Sequence, residues 1–99
     1  MPAKRLTPDE LQRALAALPE WSLVEGRLRR SYQFRDFVEA FAFMTAAALR
    51  IQELDHHPEW FNVYNTVRVD LVSHDAEGVT ARDVELAGLL EALAERWPK

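Results

Sequence analysis

The hydrophobic period of this chain changes twice, and those changes constrain its architecture more than anything else in it. Through residues 28–34, Leu28, Arg30, Tyr32 and Phe34 alternate with Arg29, Ser31 and Gln33, as a strand with one mainly apolar face requires. From 36 to 54 the period lengthens. Phe37, Phe41, Met44, Ala48 and Ile51 recur at spacings of four and three, which is one face of a long helix. Through 66–74 the period returns to two, with Val67, Val69 and Leu71 set against Thr66, Arg68, Asp70 and Val72. A strand over 21–25 turns at Gly26 into the first alternating segment, and 61–64 runs directly into the second. Links this short make antiparallel neighbours.

The ends of the helices carry their own signals. Thr7-Pro8-Asp9-Glu10 is a capping box with proline at the first helical position; Leu11, Leu15 and Leu18 follow, and Pro19 marks the stop. Asp36-Phe37-Val38-Glu39 has the same form. Thr80-Ala81-Arg82-Asp83 caps a last helix whose inner stripe is Leu86, Leu90, Leu93 and Trp97, with Pro98 closing it. The predicted fold is α+β: a four-stranded antiparallel sheet with three helices packed on one face, in the order α-β-β-α-β-β-α. At 99 residues, 48% of them hydrophobic, the chain is expected to form a single domain over 1–99. The long helix has a second face of small residues, Ala42, Thr45, Ala46 and Leu49. Such a helix is either central and deeply buried or packed against a partner subunit.

Composition then excludes several kinds of function. With no cysteine there are no structural disulfides, thiolate nucleophiles or thiolate metal sites. The net charge is −4, and the one basic cluster, Arg27, Arg29 and Arg30, has Glu25 beside it, so no dedicated nucleic-acid surface is expected. No window reaches transmembrane length and no signal-peptide stretch follows Met1, so a cytoplasmic protein without membrane association is expected. The three glycines form no phosphate-cradling loop, and no Ser-His-Asp order appears.

The chemistry concentrates at Asp55-His56-His57-Pro58-Glu59-Trp60. Two of the three histidines stand side by side where the long helix ends, and Pro58 turns His57 away from helical geometry. Adjacent residues leaving a helix point in different directions, so two imidazoles can flank one bound molecule. His74, at the end of the last strand and off the Val67–Val69–Leu71 face, can join them. Three imidazoles in one pocket would supply a general acid, a general base and a binding group near neutral pH. Each also has a plainer reading. A histidine is often a surface residue or a satisfied polar neighbour, Trp60, Phe61, Tyr64 and Trp21 can be core, and Asp83 and Glu39 suit a helix start. Three histidines can bind zinc, but these lack the i, i+4 spacing of a helical zinc motif.

Asp55-His56-His57-Pro58-Glu59-Trp60, then Asn62-Val63-Tyr64-Asn65, His74 and the Thr80-to-Asp83 turn resemble pterin-4a-carbinolamine dehydratase over nearly the whole chain. The resemblance implies dehydration of 4a-hydroxytetrahydrobiopterin to the quinonoid dihydropterin, which recycles the pterin used by an aromatic amino acid hydroxylase. It implies no metal and no redox cofactor. It makes His56, His57 and His74 the catalytic residues. Pro58, Trp60 and Trp21 would be pocket walls, with Asp83 and Arg82 at a substrate-binding position. Many members carry glutamate where this chain has Gln52, which can hydrogen-bond a histidine but brings no charge. The resemblance further implies a homotetramer, a dimer of dimers built by edge-to-edge sheets and paired long helices. It also carries an alternative function, since some relatives bind a transcription factor or act as assembly factors.

Overall fold

A computed structural model describes residues 4–97. Its elements are α1 (Pro8–Ala17), β1 (Ser22–Val24), β2 (Arg27–Gln33), α2 (Phe37–Leu54), β3 (Glu59–Val63), β4 (Thr66–Leu71), a single 3-10 turn (His74–Ala76) and α3 (Ala81–Ala94). The order and the class are those the periods predict. Pro98 lies outside the described residues. All pairings are antiparallel, in the order β1-β2-β4-β3. The hairpin strand β2 therefore lies beside β4 rather than at an edge, and β3 is outermost.

Strand parity divides the sheet into a covered and an open face. Leu28, Tyr32, Val67, Val69 and Leu71 are buried beneath the helices with Phe43, Ala47, Leu86 and Leu90. The register sets Leu28 against Leu71 and Tyr32 against Val67, so the apolar rows meet across the strands. Phe43 lies 4.9 Å from the Tyr32 ring centroid and 5.1 Å from that of Phe34, and Trp97 meets both phenylalanines edge-on. On the open face Asp70 is clamped by Arg29 through two bonds of 2.7 and 3.1 Å, and the Arg68 guanidinium covers the Phe61 ring.

Three local expectations differ from the structure. The inward face of α2 is Ala40, Phe43, Ala47 and Ile51; Phe37, Phe41 and Ala48, from the predicted apolar face, are exposed, and the first two rings pack tilted against each other outside. A helix with phenylalanine on two sides carries two apolar stripes, and the one that meets the sheet wins. At the start of α2 only half of the capping box forms. Asp36 accepts from the Glu39 N–H, but the Glu39 carboxylate accepts from the Arg35 N–H instead of closing back on Asp36. Finally, β4 stops at Leu71, and His74 opens the 3-10 turn rather than ending a strand. A bridge between Ser73 and Gly78 curls the chain there. A Cβ on Gly78 would stand 2.6 Å from Arg5 Cδ, so a side chain there would have to displace the exposed Arg5 side chain.

Candidate active site

Helix α2 ends in a tight left-handed stop that aims the two histidines. Asp55 adopts φ 51°, ψ 43°. Its N–H bonds Gln52 O at 3.2 Å, and the His56 N–H bonds Ile51 O at 3.4 Å, the paired bonds of a Schellman end. Aspartate tolerates this conformation better than most residues. The chain leaves reversed and is extended by Glu59, with Pro58 between.

His56 turns inward. Its side chain is 10% exposed, and Nε2 lies 2.5 Å from Asp83 Oδ1. Asp83 is fully buried. Its second oxygen accepts from the Thr80 N–H at 2.8 Å and the Ser73 hydroxyl at 2.9 Å, while the Ser73 and Thr80 hydroxyls are 2.8 Å apart. Asp83 is thus both the third residue of the α3 capping box and the anchor of an imidazole. Asp83, expected at a substrate-binding position, is buried and bonded to His56.

His57 turns outward. Its side chain is 59% exposed, with Nε2 3.4 Å from Asp55 Oδ1. His74, at 71%, is more exposed still, and its Nε2 lies 3.5 Å from Glu59 Oε2. Glu59 also pairs with Arg27 Nη1. Beside His74, Asp75 takes both of its oxygens to Arg82 Nη2, at 2.7 and 3.0 Å, which ties the 3-10 turn to the first turn of α3. The Arg82 Nε is buried without a partner.

Two short chains of contacts connect the three histidines. Ser73, next to His74, holds Asp83, which holds His56. Glu59, two residues past His57, meets His74. Pro58 and Trp60 are half-buried in the same strand entry, and Trp60 packs against the core opposite Val69. Trp21 is buried, its Nε1 donates to Glu91 Oε1 at 2.8 Å, and it packs edge-on to Tyr32. Glu91 stands about 12 Å beyond Asp83 along α3, taking 1.5 Å per residue. Trp21 packs as a core residue. Gln52 is exposed, and its side chain makes no hydrogen bond among the described residues.

Ser73, Thr80, Glu59 and Arg27 are the members that sequence reasoning did not single out. Thr80 was legible as a cap. The others have no local signal, because each acts on a residue from another element. Among the described residues, no three of the His, Asp and Glu side chains are grouped as a metal ion would require. Two cavities of about 680 and 700 Å³ lie elsewhere, one beside Tyr32, Glu91 and Trp97 and one between α2 and α3. The histidines border neither of them. The three imidazoles differ in setting: one is buried and anchored to Asp83, and two are exposed, each within ion-pair distance of a carboxylate.

Comparison with known proteins gives one consistent result. A family model described as pterin 4 alpha carbinolamine dehydratase matches residues 4–93. Curated relatives named pterin-4-alpha-carbinolamine dehydratase include one from Solibacter usitatus, 52% identical over 90 residues, covering 91% of this chain and 95% of the relative. Another, from Bradyrhizobium diazoefficiens, is 51% identical over 98 residues, covering 97% and 98%. A crystal structure described as a transcriptional coactivator/pterin dehydratase from Brucella melitensis superposes with a TM-score of 0.88 at 49% identity, covering 92% of this chain and 99% of that one.

Proposed function

The chain belongs to the pterin-4-alpha-carbinolamine dehydratase family, and on that premise we propose that it dehydrates a pterin 4a-carbinolamine by histidine acid–base catalysis. The observation that carries this reading is the buried His56–Asp83 pair beside two exposed imidazoles. Hydroxide is a poor leaving group, so the 4a oxygen must take a proton as the C4a–O bond breaks and water departs. A ring nitrogen must lose its proton as the C=N bond of the quinonoid dihydropterin forms. One imidazolium and one neutral imidazole complete this without a metal or redox cofactor.

In the reading we favour, His56 and His74 serve the 4a-hydroxyl as acid, and His57 holds the ring and accepts its proton. With Nε2 engaged by Asp83, Nδ1 is the nitrogen His56 can offer. Asp83 is a positioning residue, fixing that ring much as outer carboxylates fix other functional imidazoles. Arg82 steadies the turn that bears His74 through Asp75. Pro58 and Trp60 give the flat ring its apolar wall. The test is dehydration of a synthetic 4a-hydroxytetrahydropterin. His56→Ala or His74→Ala should lower turnover by about 10²-fold or more with the fold intact. Unchanged turnover in both would sink the assignment.

The proposal extends to context. Phe37, Val38, Phe41 and Leu49 leave a long apolar strip exposed on α2, and β1 pairs only with the first part of β2. Both features support a homotetramer built by helix pairing and sheet extension. Sedimentation at micromolar concentration should give that species, and a monomer would refute it. No helix among the described residues is long and apolar enough to cross a membrane; the role proposed is cytoplasmic, in recycling tetrahydrobiopterin after a hydroxylase. A second reading, a protein-binding module, draws on the same α2 strip and on the coactivator description of the Brucella structure. A stoichiometric protein complex with no carbinolamine turnover would favour it.

A further inference from the structure

We propose that Glu59 is a positioning residue for His74, held in place for that task by Arg27. This rests on the reading of His74 as an acid in the dehydration. His74 sits on a 3-10 turn of three residues with its side chain 71% exposed. A ring so placed is free to change rotamer unless something outside its own turn holds it. Among the described residues its ion-pair partner is Glu59, whose Oε2 lies 3.5 Å from Nε2, while the neighbouring Asp75 is taken by Arg82. That separation is an ion-pair distance rather than a tight hydrogen bond, and such contacts shorten when substrate closes over a site.

Glu59 is itself prevented from wandering. Its other oxygen, Oε1, pairs with Arg27 Nη1 at the start of β2. Its backbone is fixed in β3 opposite Asp70. Asp70 does not compete for Arg27, because it is occupied by Arg29 and approached by Arg68 at 3.6 Å. Parity puts Glu59 on the open face with Asp70, opposite the buried Val69 row. His57 meanwhile lies against Asp55. Each exposed imidazole thus has its own carboxylate, and Arg27 commits Glu59 to His74 by holding the oxygen it does not use. The pair is about one-third exposed on each side, so it contributes little to folding stability. An ion pair of small structural value at the one handle on an exposed histidine is better explained by the ring it orients.

The test is a double-mutant cycle in the dehydration assay. Glu59→Ala should lower kcat about tenfold and leave KM within about twofold, with Glu59→Gln losing less. Arg27→Met should shift kcat the same way by a smaller factor. In a His74→Ala background, Glu59→Ala should have no further effect, because its benefit passes through the missing ring. An equal loss in both backgrounds, or full activity in Glu59→Ala, overturns the proposal. Thermal melting checks that each variant folds, and Glu59→Gln carries the cycle if Glu59→Ala does not. If His74→Ala alone is fully active while His56→Ala is not, the Glu59 role falls and the dehydration stands. If neither histidine variant changes turnover, the histidine mechanism fails first and Glu59 with it.

Discussion

Helix α3 carries two carboxylates, Asp83 and Glu91, that resemble each other closely and do opposite work. Each gathers three side-chain or backbone partners from other parts of the chain. Asp83 takes His56, Ser73 and the Thr80 N–H. Glu91 takes Trp21, Arg30 and Tyr32, all on its Oε1 at 2.8 to 2.9 Å. The difference is a permanent cation. Arg30 keeps Glu91 ionised: burial alone would raise this carboxyl, but the bonds from Arg30 and Tyr32, with the Arg30 charge, hold it below the usual range. Burial, reinforced by Glu91, pushes the Tyr32 phenol far up, so it stays a donor. That centre has a fixed charge and pins Trp21, just before β1, and the middle of β2 to α3. Among the described residues Asp83 pairs with no lysine or arginine, only with an imidazole that can change charge. One carboxylate is a rivet and the other holds a moving part.

That contrast can be broken in order of expected effect. Asp83→Asn keeps the shape but offers His56 an amide where it had a carboxylate; turnover should fall by about 10²-fold, read in the dehydration assay. Retained turnover would make Asp83 another rivet. Glu91→Ala leaves three donors without an acceptor, one of them charged, and should destabilise the fold by about 2–3 kcal/mol in denaturant titration, with turnover per folded molecule unchanged. Ser73→Ala removes one of Asp83's three bonds and should cost about 1 kcal/mol, with a modest loss of activity. The smallest effect is in acid. A depressed folded-state carboxyl contributes stability that is present above its unfolded value, about pH 4.3, and is lost as pH falls through the lower folded one. Melting temperature should therefore drop below about pH 4 in the parent chain more steeply than in Glu91→Gln.

The periods of the sequence carry the element order and the covered face of the sheet, because apolar alternation in Val67, Val69 and Leu71 has one solution against a helix layer. They do not carry the rotation of α2. Phe41 and Phe43 are both apolar, and only the sheet's shape selects Phe43. The histidine cluster is legible through His-His-Pro and its resemblance. Asp83 is legible as a helix cap, though not as the partner of His56, since 27 residues separate the two. Glu59 and Arg27 are invisible, because their pairing crosses between strands that are not neighbours. The bond from Trp21 to Glu91 is not legible either, because 70 residues separate the two.

The left-handed stop at Asp55 has one further consequence, and it concerns length. Only Asp55, His56, His57 and Pro58 separate α2 from β3, and none of them is slack. One added residue would shift β3 by one position against β4 or force a bulge, and a shift would exchange its two faces. Glu59 would then leave the side of Arg27, and Trp60 would leave the core. The turn from 72 to 80 has more room, with a 3-10 coil and a polar stretch that can absorb a change. In this chain the four-residue count between α2 and β3 therefore fixes where the histidines stand.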